Sequence, residues 1–214
     1  MSAPTIKLCG IATPQALDAA IRARADYVGL NFFPPSPRNV SLRDAAGLGA
    51  RAEGHIARVG LFVDASDLDI AEAVAAASLD VLQLHGDETP ERAAQLGAQF
   101  GLPLWKALTV ATKADVERAR ADVGAADMIL FDAKTPKGSA LPGGMGLSFD
   151  WSLVANWKGP LAWGLAGGLT QDNVAEAVRL TGAPLVDTSS GIESAPGVKD
   201  VDKIAAFCKA ARSS

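Results

Sequence analysis

Two rhythms alternate along the chain. Short apolar runs rich in β-branched and aliphatic residues recur at TIKLC (5–9), YVGLNFF (27–33), RVGLFVD (58–64), VLQLHGDE (81–88), PLWKALTV (103–110), MILFDAK (128–134), LAWGLAG (161–167) and PLVDTSS (184–190). Most of the segments between them carry apolar residues at helical spacing, with Ser or Thr at the entry: Thr13-Pro14, Ser41, Ser66, Thr89-Pro90 and Thr112. A hydroxyl at the N-cap with Pro in the first turn marks a helix start. A short helix is expected from about Phe149 to Trp157, another with Thr170 as N-cap, and a last one at VDKIAAFCKAA. Strands alternating with helices at this spacing imply parallel βαβ units. Roughly eight of them predict an α/β fold, a (β/α)8 TIM barrel formed by residues 1–214 as one domain. An open doubly wound sheet is the alternative, but no Gly-x-Gly-x-x-Gly follows the first strand.

Composition narrows the class. A hydrophobic fraction of 49% supports a sizeable core, and no run approaches the ~18 apolar residues of a membrane span. The opening MSAPTIKLCG lacks the basic start and long apolar region of a signal peptide, so a cytoplasmic protein without a membrane partner is expected. A net charge of −4 argues against nucleic acid as the main partner, yet leaves room for a local anion site. The two cysteines, Cys9 and Cys208, form neither a disulfide framework nor a metal-ligand spacing. With only His55 and His85 in the chain, no metal site is expected.

In a closed barrel, chemistry gathers at the C-terminal strand ends. Those ends carry Cys9, Asn31, Asp64, His85, Lys106, Asp132, Gly167 and Ser189. Strand alternation turns Lys7 and Cys9 to one face, and Met128, Leu130 and Asp132 to another. Cys9 and Asp132 can therefore face one another across the barrel mouth, an arrangement suited to taking a proton from carbon and delivering one to oxygen. Each has a plainer reading: Cys9 as a small buried hydrophobe, Asp132 as a loop cap or partner of Lys134. His85, followed by Gly86, is either a turn histidine or a substrate contact. Arg38, on the proline-stiffened PPSPR loop, is either an exposed arginine or a two-point grip on a carboxylate. The loops after the last two strands, Gly167-Gly168 and Ser189-Ser190-Gly191, let an anion approach backbone N–H groups, the usual phosphate position in such barrels. Lys7 and Asp187 should meet inside the barrel where strands one and eight close.

Seven motifs taken together, KLCGI, FFPPSPRNVS, LQLHGDE, ILFDAKTP, the GG-G-FDW stretch, LAGGLTQDNV and VDTSSGIESAPGVKD, resemble the phosphoribosylanthranilate isomerases of tryptophan biosynthesis, in order and along essentially the whole chain. The resemblance implies a cofactor-free barrel acting on a small phosphosugar, as a monomer or homodimer. Its reaction would be the Amadori rearrangement of N-(5-phosphoribosyl)anthranilate to 1-(2-carboxyphenylamino)-1-deoxyribulose 5-phosphate, the third step from chorismate to L-tryptophan. It assigns the general base to Cys9, the general acid to Asp132 and the anthranilate-carboxylate contact to Arg38. The phosphate cradle falls on Gly167, Gly168, Asp187, Ser189, Ser190 and Gly191. Met145 stands in GGMG where the family usually has Thr or Ser, so that hydroxyl is missing here. For the base to work, Lys7 and Arg38 are the cations expected to favour the thiolate. A metal-dependent epimerase and a phosphosugar-binding barrel without turnover are the alternatives from other classes.

Overall fold

The computed structural model describes residues 3–133, 143–155 and 157–214. Its strands are β1 (Thr5–Cys9), β2 (Tyr27–Asn31), β3 (Ala57–Phe62), β4 (Val81–Leu84), β5 (Leu104–Val110), β6 (Met128–Ala133), β7 (Ala162–Leu165) and β8 (Leu185–Thr188). They pair in parallel, each with the next, and β8 pairs back on β1 to close the barrel. The closing register sets Lys7 beside Asp187 and Leu8 beside Thr188.

Helices follow the strands as their caps dictate. They are α1 (Pro14–Arg22), α2 (Leu42–Ala52), α3 (Asp67–Ala77), α4 (Pro90–Phe100), α5 (Lys113–Glu117), α6 (Val174–Thr181) and α7 (Val201–Arg212). The side chains of Thr13, Ser41, Ser66, Thr89 and Thr112 each accept from a backbone N–H in the first turn, satisfying a donor with no partner inside the helix. Residues pointing outward from the strands form one large core with the helices, whereas Val59, Val81, Trp105, Ala107, Leu130 and Leu185 form a separate cluster within the barrel. That inner plug leaves only the C-terminal mouth for chemistry.

Several elements differ from the expectation. The helix expected after Thr112, ADVERARADV (114–123), stops at Glu117 and tightens into a 3-10 helix over Arg118–Asp122; its buried Val116 and Ala119 lie three apart, the spacing such a turn aligns. The expected helix from Phe149 to Trp157 is a single 3-10 turn, Trp151–Leu153, capped by Asp150. Thr170 is not the cap of α6. Its N–H donates to Asn173 Oδ1 while Asn173 Nδ2 donates to the Gly168 carbonyl, so a turn fills 170–173 and Asn173 takes the N-cap position. After β8 an unforeseen hairpin, β9 (Glu193–Ala195) and β10 (Val198–Lys199), precedes α7. Lys134 and most of the Gly-rich loop after β6 lie outside the described residues. Among the described residues, no helix is long and apolar enough to cross a membrane.

Candidate active site

A cavity opens at the C-terminal mouth. Cys9, Arg38, His85, Asp132, Gly167, Gly168, Asp187, Ser189 and Ser190 all line it, together with Asn31, also expected at a strand end, Gln83 and the 143–147 segment. β1 delivers Cys9 and β6 delivers Asp132 to this one space.

Cys9 is 6% exposed, so it is both buried and open to the cavity. Gly29 sits beside it in the ladder, and a Cβ there would lie 2.8 Å from Cys9 Sγ, so only glycine leaves the sulfur its place. Burial pushes the Cys9 thiol above its ordinary value, and Asp187 adds to this, while Lys7 and Lys199 pull it down. Lys7 is fully buried and donates to Asp187 Oδ2 at 2.8 Å, as expected for the closing seam. Burial works against its ammonium, but Asp187 and Cys9 outweigh that and hold its pKa above the usual value. Arg38, expected to act as the second cation on Cys9, contributes no such pull; Lys199 does.

Asp132 accepts from the Ala133 N–H at 2.7 Å through Oδ1, which fixes the carboxyl as a cap would. Its Oδ2 stands 3.2 Å from His85 Nε2, within ion-pair range, although that nitrogen lacks the alignment of a hydrogen bond. Gly143 presses on both: a Cβ there would lie 2.7 Å from Asp132 Oδ2 and 2.8 Å from His85 Nε2. His85 is thus part of the carboxyl's surroundings and not a remote turn residue.

Arg38 is buried rather than exposed. Its Nε and Nη2 meet Glu193 Oε1 and Oε2 at 2.7 and 2.8 Å, and Nη2 also donates to the Gly144 carbonyl at 2.9 Å. Glu193 in turn accepts from Lys199 Nζ at 2.7 Å, and Lys199 reaches the Ser189 carbonyl at 2.9 Å and its hydroxyl at 3.2 Å. Burial alone would raise the Glu193 pKa, but Arg38 and Lys199 outweigh it and hold the carboxyl below its ordinary value. Glu193 and Lys199 were missed in the sequence because they sit on the hairpin. The signal was there: Pro196-Gly197 between two short segments is a turn, and Gly197 has φ of +80°.

The two anion loops need a different physical reason from the one expected. Gly167 has φ of +83°, and a Cβ there would lie 2.5 Å from the Ala133 nitrogen; at Gly168 it would lie 2.8 Å from the Leu147 carbonyl oxygen. The missing side chains thus admit neighbouring backbone. The amides serve the cavity: among the described residues, the N–H groups of Gly167, Gly168 and Ser190 find no acceptor. Gly191 does not line the cavity. Its Cβ would collide with the Leu169 carbonyl, so it lets the two loops pack together. Asp187 is a carboxylate that would repel a phosphate, and it is bonded to Lys7. Met145 is 48% exposed on the rim. Among the described residues, no group of three or more His, Cys, Asp or Glu side chains is placed to hold a metal ion.

A closed parallel barrel with a thiol, a carboxyl, a buried arginine and loop amides around one cavity is a (β/α)8 enzyme site equipped for proton transfer. The chain matches the family described as N-(5'-phosphoribosyl)anthranilate (PRA) isomerase over residues 6–210. It is 55% identical over 207 residues to the N-(5'-phosphoribosyl)anthranilate isomerase of Paramagnetospirillum magneticum, covering 97% of this chain and 96% of that one. The crystal structure of phosphoribosyl anthranilate isomerase from Thermotoga maritima superposes with a TM-score of 0.88 at 32% identity, covering 99% and 100% of the two chains. Another structure, at TM-score 0.85 and 31% identity over 99% and 100% of the two chains, holds reduced 1-(o-carboxyphenylamino)-1-deoxyribulose 5-phosphate. The chain belongs to the phosphoribosylanthranilate isomerase family.

Proposed function

We propose that Cys9 and Asp132 carry out the isomerisation of N-(5'-phosphoribosyl)anthranilate to 1-(2-carboxyphenylamino)-1-deoxyribulose 5-phosphate, the third step from chorismate to L-tryptophan. Asp132, in its protonated form, gives its proton to the furanose ring oxygen as the bond from C1 to that oxygen breaks, leaving an iminium ion. The Cys9 thiolate then removes the proton on C2, and the electron pair of that C–H bond neutralises the iminium as an enolamine. Tautomerisation places the carbonyl at C2. Proton transfers alone balance the reaction.

The observation that carries this reading is the meeting of Cys9 and Asp132 on one cavity, with buried cations on the thiol side. Arg38 supports it as the grip on the anthranilate carboxylate: Glu193 engages Nε and Nη2, which leaves Nη1 for the ligand. The amides of Gly167, Gly168 and Ser190, unpartnered among the described residues, form the phosphate cradle with Ser189 beside them. Asp187 acts beneath that cradle as the holder of Lys7, and Gly191 as the contact between its two loops. His85 faces the substrate next to the acid. The roles proposed fall within one chain taken as a single catalytic domain, acting as a monomer or a homodimer.

The test is incubation with freshly prepared phosphoribosylanthranilate while following loss of its fluorescence. Cys9→Ala and Asp132→Asn should each lower kcat by about 10² to 10⁴ with smaller effects on KM. Near-normal turnover in Cys9→Ala would move the base elsewhere.

A further inference from the structure

Around the Cys9 thiol the fold assembles more positive than negative charge. Lys7 and Asp187 act on it from β1 and β8 and Lys199 from the hairpin, and Lys199 is tied in turn to Glu193 and, through it, to Arg38 of the β2 loop. Asp132 and His85 face it across the cavity. On the thiol side there are three cations against two carboxylates. Arg38 already meets both oxygens of Glu193, so the Lys199 ammonium exceeds what that carboxylate requires. Its side chain is 2% exposed, and burying a surplus ammonium is expensive unless an anion lies near.

The neighbour is given by register. Leu8 pairs with Thr188, so Cys9 and Ser189 stand one step further along the same seam. Lys199 Nζ donates to both the carbonyl and the hydroxyl of that Ser189. We propose that Lys199 is a positioning residue of the isomerase: its ammonium, anchored on Ser189 and Glu193, eases formation of the Cys9 thiolate against the burial that opposes it. Lys7 pulls harder on the thiol but is opposed by Asp187, whereas Lys199 adds a charge whose carboxylate is shared with Arg38. Burial drives the thiol up and the ammonium down, and the pair works against it: Lys199 pulls the thiol down, while Glu193 and then Cys9 support the ammonium. The role rests on Cys9 being the base, although the charge on the sulfur can be read without turnover.

The experiment is the pH dependence of iodoacetamide alkylation at Cys9, in a Cys208→Ser background so that one thiol reports. Lys199→Met should raise the midpoint by about one pH unit, an approximately tenfold slower reaction at neutral pH. Lys199→Arg should restore the midpoint. Glu193→Gln, which removes an anion and leaves both cations, should lower it. Thermal unfolding of each variant separates loss of fold from loss of charge. If Lys199→Met unfolds, the Glu193→Gln midpoint decides alone. An unmoved midpoint in folded Lys199→Met, or in Glu193→Gln when that variant decides alone, overturns the proposal even with Cys9→Ala inactive. A shifted midpoint with Cys9→Ala still turning over keeps the thiolate effect, and overturns both the base assignment and the positioning role given to Lys199 in the reaction.

Discussion

Arg38 and Glu193, 155 residues apart in sequence, meet fork to fork at 2.7 and 2.8 Å inside the rim of the barrel. Two parallel charge-assisted bonds fix the plane of a guanidinium as one bond cannot. The hairpin that carries Glu193 is itself seated on the arginine's loop: a Cβ at Gly197 would lie 2.5 Å from the Pro37 carbonyl oxygen. Sequence-distant segments thus hold one side chain in one orientation.

Arg38→Ala should therefore lower kcat/KM by about 2 to 4 kcal/mol in transition-state stabilisation, the size of a lost charge-assisted pair to a ligand carboxylate. Arg38→Lys should recover little, because an ammonium cannot span both Glu193 oxygens and also reach the ligand. A substrate analogue without the carboxylate should bind the native and Ala proteins equally. If it discriminates between them as strongly as the substrate does, the carboxylate grip is wrong.

Lys7 and Asp187 form a pair whose members cannot be removed singly. Lys7→Met should destabilise the fold by about 3 to 5 kcal/mol in urea unfolding, since it leaves an uncompensated buried carboxylate. The double change Lys7→Met with Asp187→Leu should regain much of that stability while kcat stays low. Full recovery of kcat in the double variant would show that the pair serves only the barrel.

Acid should expose the Glu193 network. Its carboxyl pKa is depressed by folding, so the stability it contributes is present above its ordinary value of 4.5 and is lost as pH falls through the lower folded value. The difference in unfolding free energy between native protein and Glu193→Gln should be constant from neutrality down to about pH 5, then shrink at lower pH. A difference that grows on acidification would contradict the pairing.

Gly29→Ala tests how closely Cys9 is held. The new Cβ would sit 2.8 Å from Sγ and 3.1 Å from the Cys9 Cα, with backbone on one side and no room to move. Overpacking of this kind costs about 1 to 3 kcal/mol. The expected signature is a moderate loss of stability with a larger loss of kcat than of substrate affinity, measured by unfolding and steady-state kinetics. An unchanged kcat would mean the sulfur tolerates displacement.

The order of the strands was legible because each is a short apolar run, and the helix starts because Ser or Thr stands at the entry. Strand alternation brought Cys9 and Asp132 to the same mouth, and put Lys7 opposite Asp187. What escaped has a common cause. Glu193 and Lys199 belong to strands of three and two residues, too short for any period to register. Their role is set by partners far away in sequence, Arg38 and Ser189, which only the closed barrel brings near. Arg38 was placed in the site for its chemistry, but its burial follows from Glu193. The reason for Gly167 and Gly168 was misjudged because a sequence does not reveal which neighbour fills the space of a missing side chain.

The seam between β1 and β8 also has a meaning in time. Lys7 is made early and its partner Asp187 comes 180 residues later. At ~5–20 residues per second, the ribosome leaves that lysine without its counter-charge for roughly 9 to 36 s. Through that interval its ammonium must stay in water, and the first strand cannot settle into a finished interior. Catalytic competence thus waits until Asp187 has emerged, and a nascent or truncated polypeptide ending before it cannot turn over substrate.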